Sequence, residues 1–359
     1  MTRLNDGPQL VDWDTAVAVA GRLVRPGPAV TQQEARAAVA DLRQGAADAE
    51  GHVRSFTHLT ASSGSAPVIV VDRPGWVQAN ANAFAVVLEP LAQLIAERRE
   101  PGKAPMGGIS TRVAGAQVGA LLAYLSGRVL GQFDPFHDDA GRLGRLMLVA
   151  PNIVAIEREL SVDPADFRMW VCLHEETHRV QFTAVEWLRE HLRGQIHAFV
   201  AETEVDPEAL ATRLREAVGA VVSSLRGNTD ASLVELVQTP KQREILDHLT
   251  GLMSLLEGHA EFVMDGVGPE VVPSVADIRR KFTRRRAGTG PIDQAVRRLL
   301  GLELKMKQYR DGSAFVRAVV DKVGVDGLNQ VWSSPDALPA QAEISDPKAW
   351  MSRVLSTCV

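Results

Sequence analysis

Only two stretches of this chain read as β-strand, and every other segment with a clear period reads as helix. Ala66–Val71 (APVIVV) is a β-branched run closed by Asp72-Arg73-Pro74-Gly75, a strand followed by a turn. Arg145–Ile156 (RLMLVAPNIVAI) is apolar but interrupted by Pro151, whose missing N–H cannot join a ladder on both sides, so it reads as an edge strand. Around these two runs the pattern is helical. Val11–Leu23 stops at Arg25-Pro26-Gly27-Pro28, and Thr31 with Glu34 forms a capping box for a helix to about Glu50. Helices are also predicted over about Ala79–Arg99 and Val113–Leu130; in the latter, Gly115, Gly119, Gly127 and Gly131 recur at spacings that let a neighbouring helix approach closely. Asp163-Pro164 supplies an N-cap and a proline at the first helical position for a helix that can run to Arg193-Gly194. Pro207–Arg226 and Lys241–Asp265 follow as helical patterns. The expected fold is mainly α, an α+β arrangement of many helices with a small sheet. Its 359 residues suit one domain, with a helical N-terminal part (1–105), a part holding the edge strand and the Asp163-capped helix (106–200), and a further helical part (201–359).

Composition excludes several classes. The 39 Lys and Arg against 44 Asp and Glu give a net charge of −5, so no global positive field draws in nucleic acid or an anionic membrane. Cys172 and Cys358 are too few for a disulfide framework or a thiolate metal site. No run of about 18 apolar residues occurs, and no basic segment leads into an apolar one at the N-terminus. A cytoplasmic protein without nucleic-acid or membrane partners is expected. The basic run Arg279, Arg280, Lys281, Arg284, Arg285 and Arg286 precedes Ala287-Gly288-Thr289-Gly290-Pro291 and reads as a mobile, solvated connector, with an acidic partner as the alternative.

Inside the Asp163-capped helix stands His174-Glu175-Glu176-Thr177-His178, an HExxH. Residues i and i+4 share a helix face about 6 Å apart, so both imidazoles can hold one Zn²⁺. Glu175, rotated by about 100°, then faces the water whose pKa zinc lowers, and serves as general base. Glu176 stands where an uncharged residue is usual in such helices and is expected to be solvated on the outer face. Cys172 points away from the metal as a packed thiol.

A catalytic zinc site takes three protein ligands and keeps a fourth position open. The residues after His178, Arg179-Val180-Gln181-Phe182-Thr183, offer no third histidine, so two distant residues compete. Glu257 lies in Leu256-Glu257-Gly258-His259-Ala260-Glu261-Phe262, a helix-patterned stretch in which Glu261 shares its face. His197 follows His178 at a suitable spacing, in surroundings without a Glu-Gly pair. EGHAEF is similar to the glutamate helix of gluzincins. That resemblance implies Glu257 as the third ligand and Glu261 as the carboxylate that orients a ligand histidine.

The whole chain resembles a bacterial family of zincin-like metallopeptidases, type 2, associated by description with biosynthesis of the deazaflavin coenzyme. LHEETHRVQF (Leu173–Phe182), LEGHAEFVMD (Leu256–Asp265) and GLELKMKQYRDG (Gly301–Gly312) carry the resemblance. It implies a zincin-like fold, with the sheet's edge strand near the metal, and a metal-dependent hydrolase.

Two further roles are expected. Leu146–Ile153, with Met147 and Val149, is the edge on which an extended peptide or amide-containing substrate adds as a strand. Tyr309, one of two tyrosines, is the donor for the developing oxyanion. The reading is a zinc metallopeptidase cleaving a peptide or amide bond. The alternatives are a non-catalytic zinc-stabilised scaffold, marked by closure of the site with His197 or His259, and an amidohydrolase acting on a small metabolite.

Overall fold

The computed structural model describes residues 9–60, 66–97, 108–139, 142–202, 240–287 and 302–355. Three strands form its sheet: β1 (Val68–Val71), β2 (Gly131–Asp139) and β3 (Arg142–Val149), in the order β1-β3-β2. β1 runs parallel to β3 with Val70 opposite Leu148, and β2 runs antiparallel to it with Gly131 opposite Leu148.

β3 is therefore the middle strand, and this corrects the reading of Arg145–Ile156 as an edge. The strand stops at Val149, and Pro151 opens helix α5 (Ala150–Leu160) in its first turn, where a missing N–H costs no hydrogen bond. The proline that does mark an edge strand is Pro135, inside β2, where the register with β3 shifts between Asp134 and Asp138.

Both faces of the sheet are covered. Along β3, Leu146, Met147, Leu148 and Val149 are wholly buried. Side chains alternate across a strand, so Met147 and Val149 join one apolar cluster and Leu148 the other. The first cluster is built by α1 (Trp13–Leu23), α3 (Arg73–Glu97) and α4 (Gly108–Ser126). Gly115 and Gly119 of α4 meet α1 so closely that a Cβ on either would lie 2.3 Å from the carbonyl oxygen of Asp12 or Ala16. The glycine spacing was thus a helix contact, although α4 ends at Ser126 and Gly131 starts β2.

The second cluster holds α2 (Gln32–Thr57), α6 (Pro164–Ala184), α8 (Pro240–Val271) and α10 (Leu302–Leu328). The Thr31–Glu34 capping box is present, and its helix runs two turns past Glu50 to a left-handed His58. Asp163 caps α6 by accepting from the Asp166 N–H at 3.0 Å. This helix ends at Ala184, short of the expected Arg193-Gly194, and α7 (Leu188–Ala201) follows. The basic run is helix α9 (Val275–Ala287), with Arg279 paired to Asp265, Arg280 to Asp277 and Arg285 to Glu159, so it is not a loose connector. The predicted helix Pro207–Arg226 lies outside the described residues. Among the described residues no helix is long and apolar enough to cross a membrane.

Candidate metal centre

The centre forms where α6 and α8 face each other. Leu173, Val180 and Phe167 of α6 are buried in the second cluster, which turns His174 and His178 towards α8. Their rings lie 4.8 Å apart and nearly perpendicular, at 89°. On α8, Leu255, Leu256, Ala260 and Val263 point into the core, and Glu257 projects to the histidines. Its Oε2 is 3.7 Å from Nε2 of each. One ligand atom from each of the three residues lies within 4.8 Å of the other two.

The depth of α8 is set by a second helix crossing. A Cβ on Gly258, the residue after Glu257, would lie 2.2 Å from the carbonyl carbon of Gly312, and one on Gly312 would lie 1.9 Å from Ser254 O. The backbones of α8 and α10 are therefore in contact beside Glu257, which only side-chain-free positions permit.

The donor set fits a catalytic zinc. A tetrahedral ion about 2.0–2.1 Å from nitrogen and oxygen ligands holds them about 3.3 Å apart, so the 3.7 Å between Glu257 and each histidine closes with a shift of a few tenths of an ångström. Two imidazoles and a carboxylate are the expected ligands where cysteine is scarce. The side chains of His174, His178 and Glu257 are 28%, 14% and 20% exposed, so the centre opens to solvent on one side. Among the described residues no fourth His, Cys, Asp or Glu joins the group.

Glu175 is buried against the edge strand. A Cβ on Gly131 of β2 would sit 2.5 Å from Glu175 Cγ and 2.8 Å from its Oε1, so the carboxylate occupies the space a side chain would take. Burial pushes its pKa up to about 8; His178 opposes that rise, and Glu257 and Glu176 add to it. For His178, burial acts downward, but Glu257 and Glu175 outweigh it and raise the pKa to about 9. Without a metal, this pocket retains protons that a dication displaces.

A family model described as zincin-like metallopeptidase matches residues 11–351. This chain belongs to that family. A crystal structure of a candidate hydrolase with a novel fold from Chloroflexus aurantiacus is 30% identical, with a TM-score of 0.69 over 96% of this chain and 98% of that one. Among curated proteins none matches.

Of the residues expected in this zincin-like site, His174, Glu175, His178 and Glu257 come together. His197 does not: it is on α7, exposed, at a cleft lined by Val86, Val87, Pro90, Phe136, Arg193 and Ile196. Met147 and Val149 are corrected as substrate contacts, because β3 is paired on both sides and both residues are wholly buried. Tyr309 lies on α10, one turn before Gly312, and its side chain is outside the described residues. Glu261 is half-buried one turn after Glu257.

Glu176 is not solvated. It is fully buried and paired with Arg179 at 2.6 Å; Arg179 also pairs with Glu50 at 2.6 Å and donates to Ala66 O at 3.0 Å. Burial pushes Glu176 up to about pKa 7 while Arg179 holds it down. The pair ties α6 to α2 and to the start of β1. Cys172 is the expected packed thiol, 3.7 Å from Leu42 O, with its pKa raised by burial. Sequence reasoning assigned Gly131 to a glycine-spaced helix rather than to the site, and missed Gln181, whose Oε1 lies 3.0 Å from His178 Nδ1.

Proposed function

We propose that this chain is a zinc-dependent hydrolase that cleaves a peptide or amide bond. The observation that carries the reading is the convergence of His174, His178 and Glu257, open on one side, around a buried Glu175 seated against the sheet's edge strand. Zinc held by those three residues supplies Lewis-acid polarisation of the scissile carbonyl and acidifies the attacking water.

Glu175 takes the proton from that water and passes it to the leaving nitrogen. The outer edge of β2 over Gly131–Asp134, regularly paired to β3 on its inner side, offers main-chain groups to an extended substrate. Tyr309 is the oxyanion donor in this reading; its position on α10, one turn from the Gly258–Gly312 crossing, supports it. The absence of a fourth ligand among the described residues favours turnover over a zinc-stabilised scaffold.

The test is hydrolysis of a peptide library by zinc-loaded protein and by Glu175→Gln. Retained zinc with activity reduced about 10²–10⁴-fold is expected for loss of the proton carrier. No hydrolysis by the zinc-loaded native chain, or hydrolysis undiminished in Glu175→Gln, overturns the proposal.

A further inference from the structure

We infer that Gln181 is a positioning residue of the metal centre: its buried amide sets the tautomer of His178 and ties the ligand-bearing turn of α6 to that of α8. The inference rests on the zinc-site reading above.

Gln181 is wholly buried, so each polar atom of its amide needs a partner or costs free energy. The structure supplies three. Oε1 lies 3.0 Å from His178 Nδ1, and Nε2 lies 3.0 Å from Leu256 O and 3.0 Å from His259 Nδ1.

These contacts fix the hydrogens. Leu256 O is a carbonyl and can only accept, so the amide atom facing it is the NH₂ group. The amide oxygen then faces His178, and because it too can only accept, His178 carries its hydrogen on Nδ1. In the neutral ring the lone pair is left on Nε2, the atom that faces Glu257 Oε2. The second amide hydrogen goes to His259 Nδ1, which places the His259 hydrogen on Nε2.

Position along the chain gives the device its second role. Gln181 is one turn after His178, Leu256 immediately precedes Glu257, and His259 follows it by two residues. One side chain therefore touches one of the two α6 histidines of the centre, His178, and both flanks of Glu257 on α8. An outer partner that holds a ligand imidazole in register contributes about 10–100-fold to metal affinity in comparable sites. Here that partner is an amide, which accepts from His178 without adding a negative charge to a pocket that already holds Glu175 and Glu257.

The experiment compares native protein, Gln181→Leu and Gln181→Glu by chelator competition for zinc. The Co²⁺-loaded forms are examined by proton NMR, where a ligand imidazole N–H protected from exchange gives a paramagnetically shifted signal. Gln181→Leu, which has the shape but no acceptor, is expected to bind zinc about 10–100-fold more weakly and to lose the His178 N–H signal to solvent exchange. Gln181→Glu keeps an acceptor and is expected to keep that signal and bind more tightly than the Leu variant. Native affinity and an unchanged signal in Gln181→Leu overturn the inference, as do equal losses in both variants, which would mark a packing role. If Gln181→Leu does not fold, retention or loss of the signal in Gln181→Glu decides. Native protein that binds no zinc defeats the zinc-site reading instead, which separates the two failures.

Discussion

Replacing Gly312 by alanine sets two physical effects of opposite sign against each other. By helix propensity alone, Gly→Ala inside α10 stabilises by about 1 kcal/mol. Tertiary packing says otherwise. The new Cβ would be 1.9 Å from Ser254 O and 2.7 Å from its carbonyl carbon, both backbone atoms of α8 that no rotamer change can move. Ordinary contact requires the two helices to separate by about 1.5 Å, and a gap of that size forfeits half or more of the dispersion between facing side chains. Phe315, Val316 and Val319 of α10 and Leu252, Leu255 and Leu256 of α8 lie in the affected core. With overpacking at about 1–3 kcal/mol or more and lost contacts added, the net effect is destabilisation by about 2–4 kcal/mol. Gly51→Ala is the control, since that glycine of α2 has nothing within 4 Å of its would-be Cβ; it should stabilise by about 0.5–1 kcal/mol. Urea unfolding of EDTA-treated protein measures both. A Gly312→Ala variant as stable as the native chain, or more so, refutes the backbone-contact account. Because Glu257 adjoins the same crossing, zinc affinity should fall together with stability.

Further outcomes follow from the site. Glu257→Ala and His178→Ala should each lose stoichiometric zinc under mild chelation, whereas His197→Ala, altered at a separate cleft, should retain it; metal analysis of the purified variants distinguishes them. Gly131→Ala pushes a methyl into the space of the Glu175 carboxylate, so it should keep zinc yet lose about 10²-fold in hydrolysis, as expected for a displacement of about 1 Å. The metal-free protein should lose stability as pH rises from about 5 to 9. Folded Glu175 and His178 hold protons up to about 8 and 9, above their ordinary 4.5 and 6.5, so over that window the native state binds more protons than the unfolded chain. Zinc displaces those protons, and the stabilisation it confers should grow over the same window; thermal melts with and without zinc, showing a rising metal-free midpoint, would contradict this.

Local features of the chain were legible where their physics is local. An HExxH pair places two imidazoles on one face through helix geometry alone, whereas Glu257 was preferred to His197 only through the resemblance of EGHAEF to the gluzincin glutamate helix. The Thr31–Glu34 box and the Asp163 cap act within one turn, and both are present as read. The sheet was less legible. β2, GQFDPFHDD, contains glycine, proline and five polar residues, and owes its extended form to pairing with β3 rather than to propensity. Pro151 was ambiguous because a proline suits a strand edge and the first turn of a helix equally, and only the pairing of β3 on both edges and its end at Val149 distinguish them. Glu176 looked like a solvated charge because its partners, Arg179 bridging to Glu50 and Ala66, come together only when α2 and β1 pack on α6.

The sequence by itself determined a mainly helical chain with a small sheet, two imidazoles spaced to hold a metal beside an adjacent carboxylate, and a third ligand of nitrogen or oxygen rather than sulfur. Tertiary structure decided which strand lies beside the metal, that His197 is elsewhere, that Glu175 is seated against a bare glycine, and that Gln181 spans the two ligand helices. The division follows from contact range. Capping and i, i+4 spacing are properties of one turn of backbone, whereas burial, tautomer and edge are properties of surfaces that meet only after residues far apart in the chain have packed together.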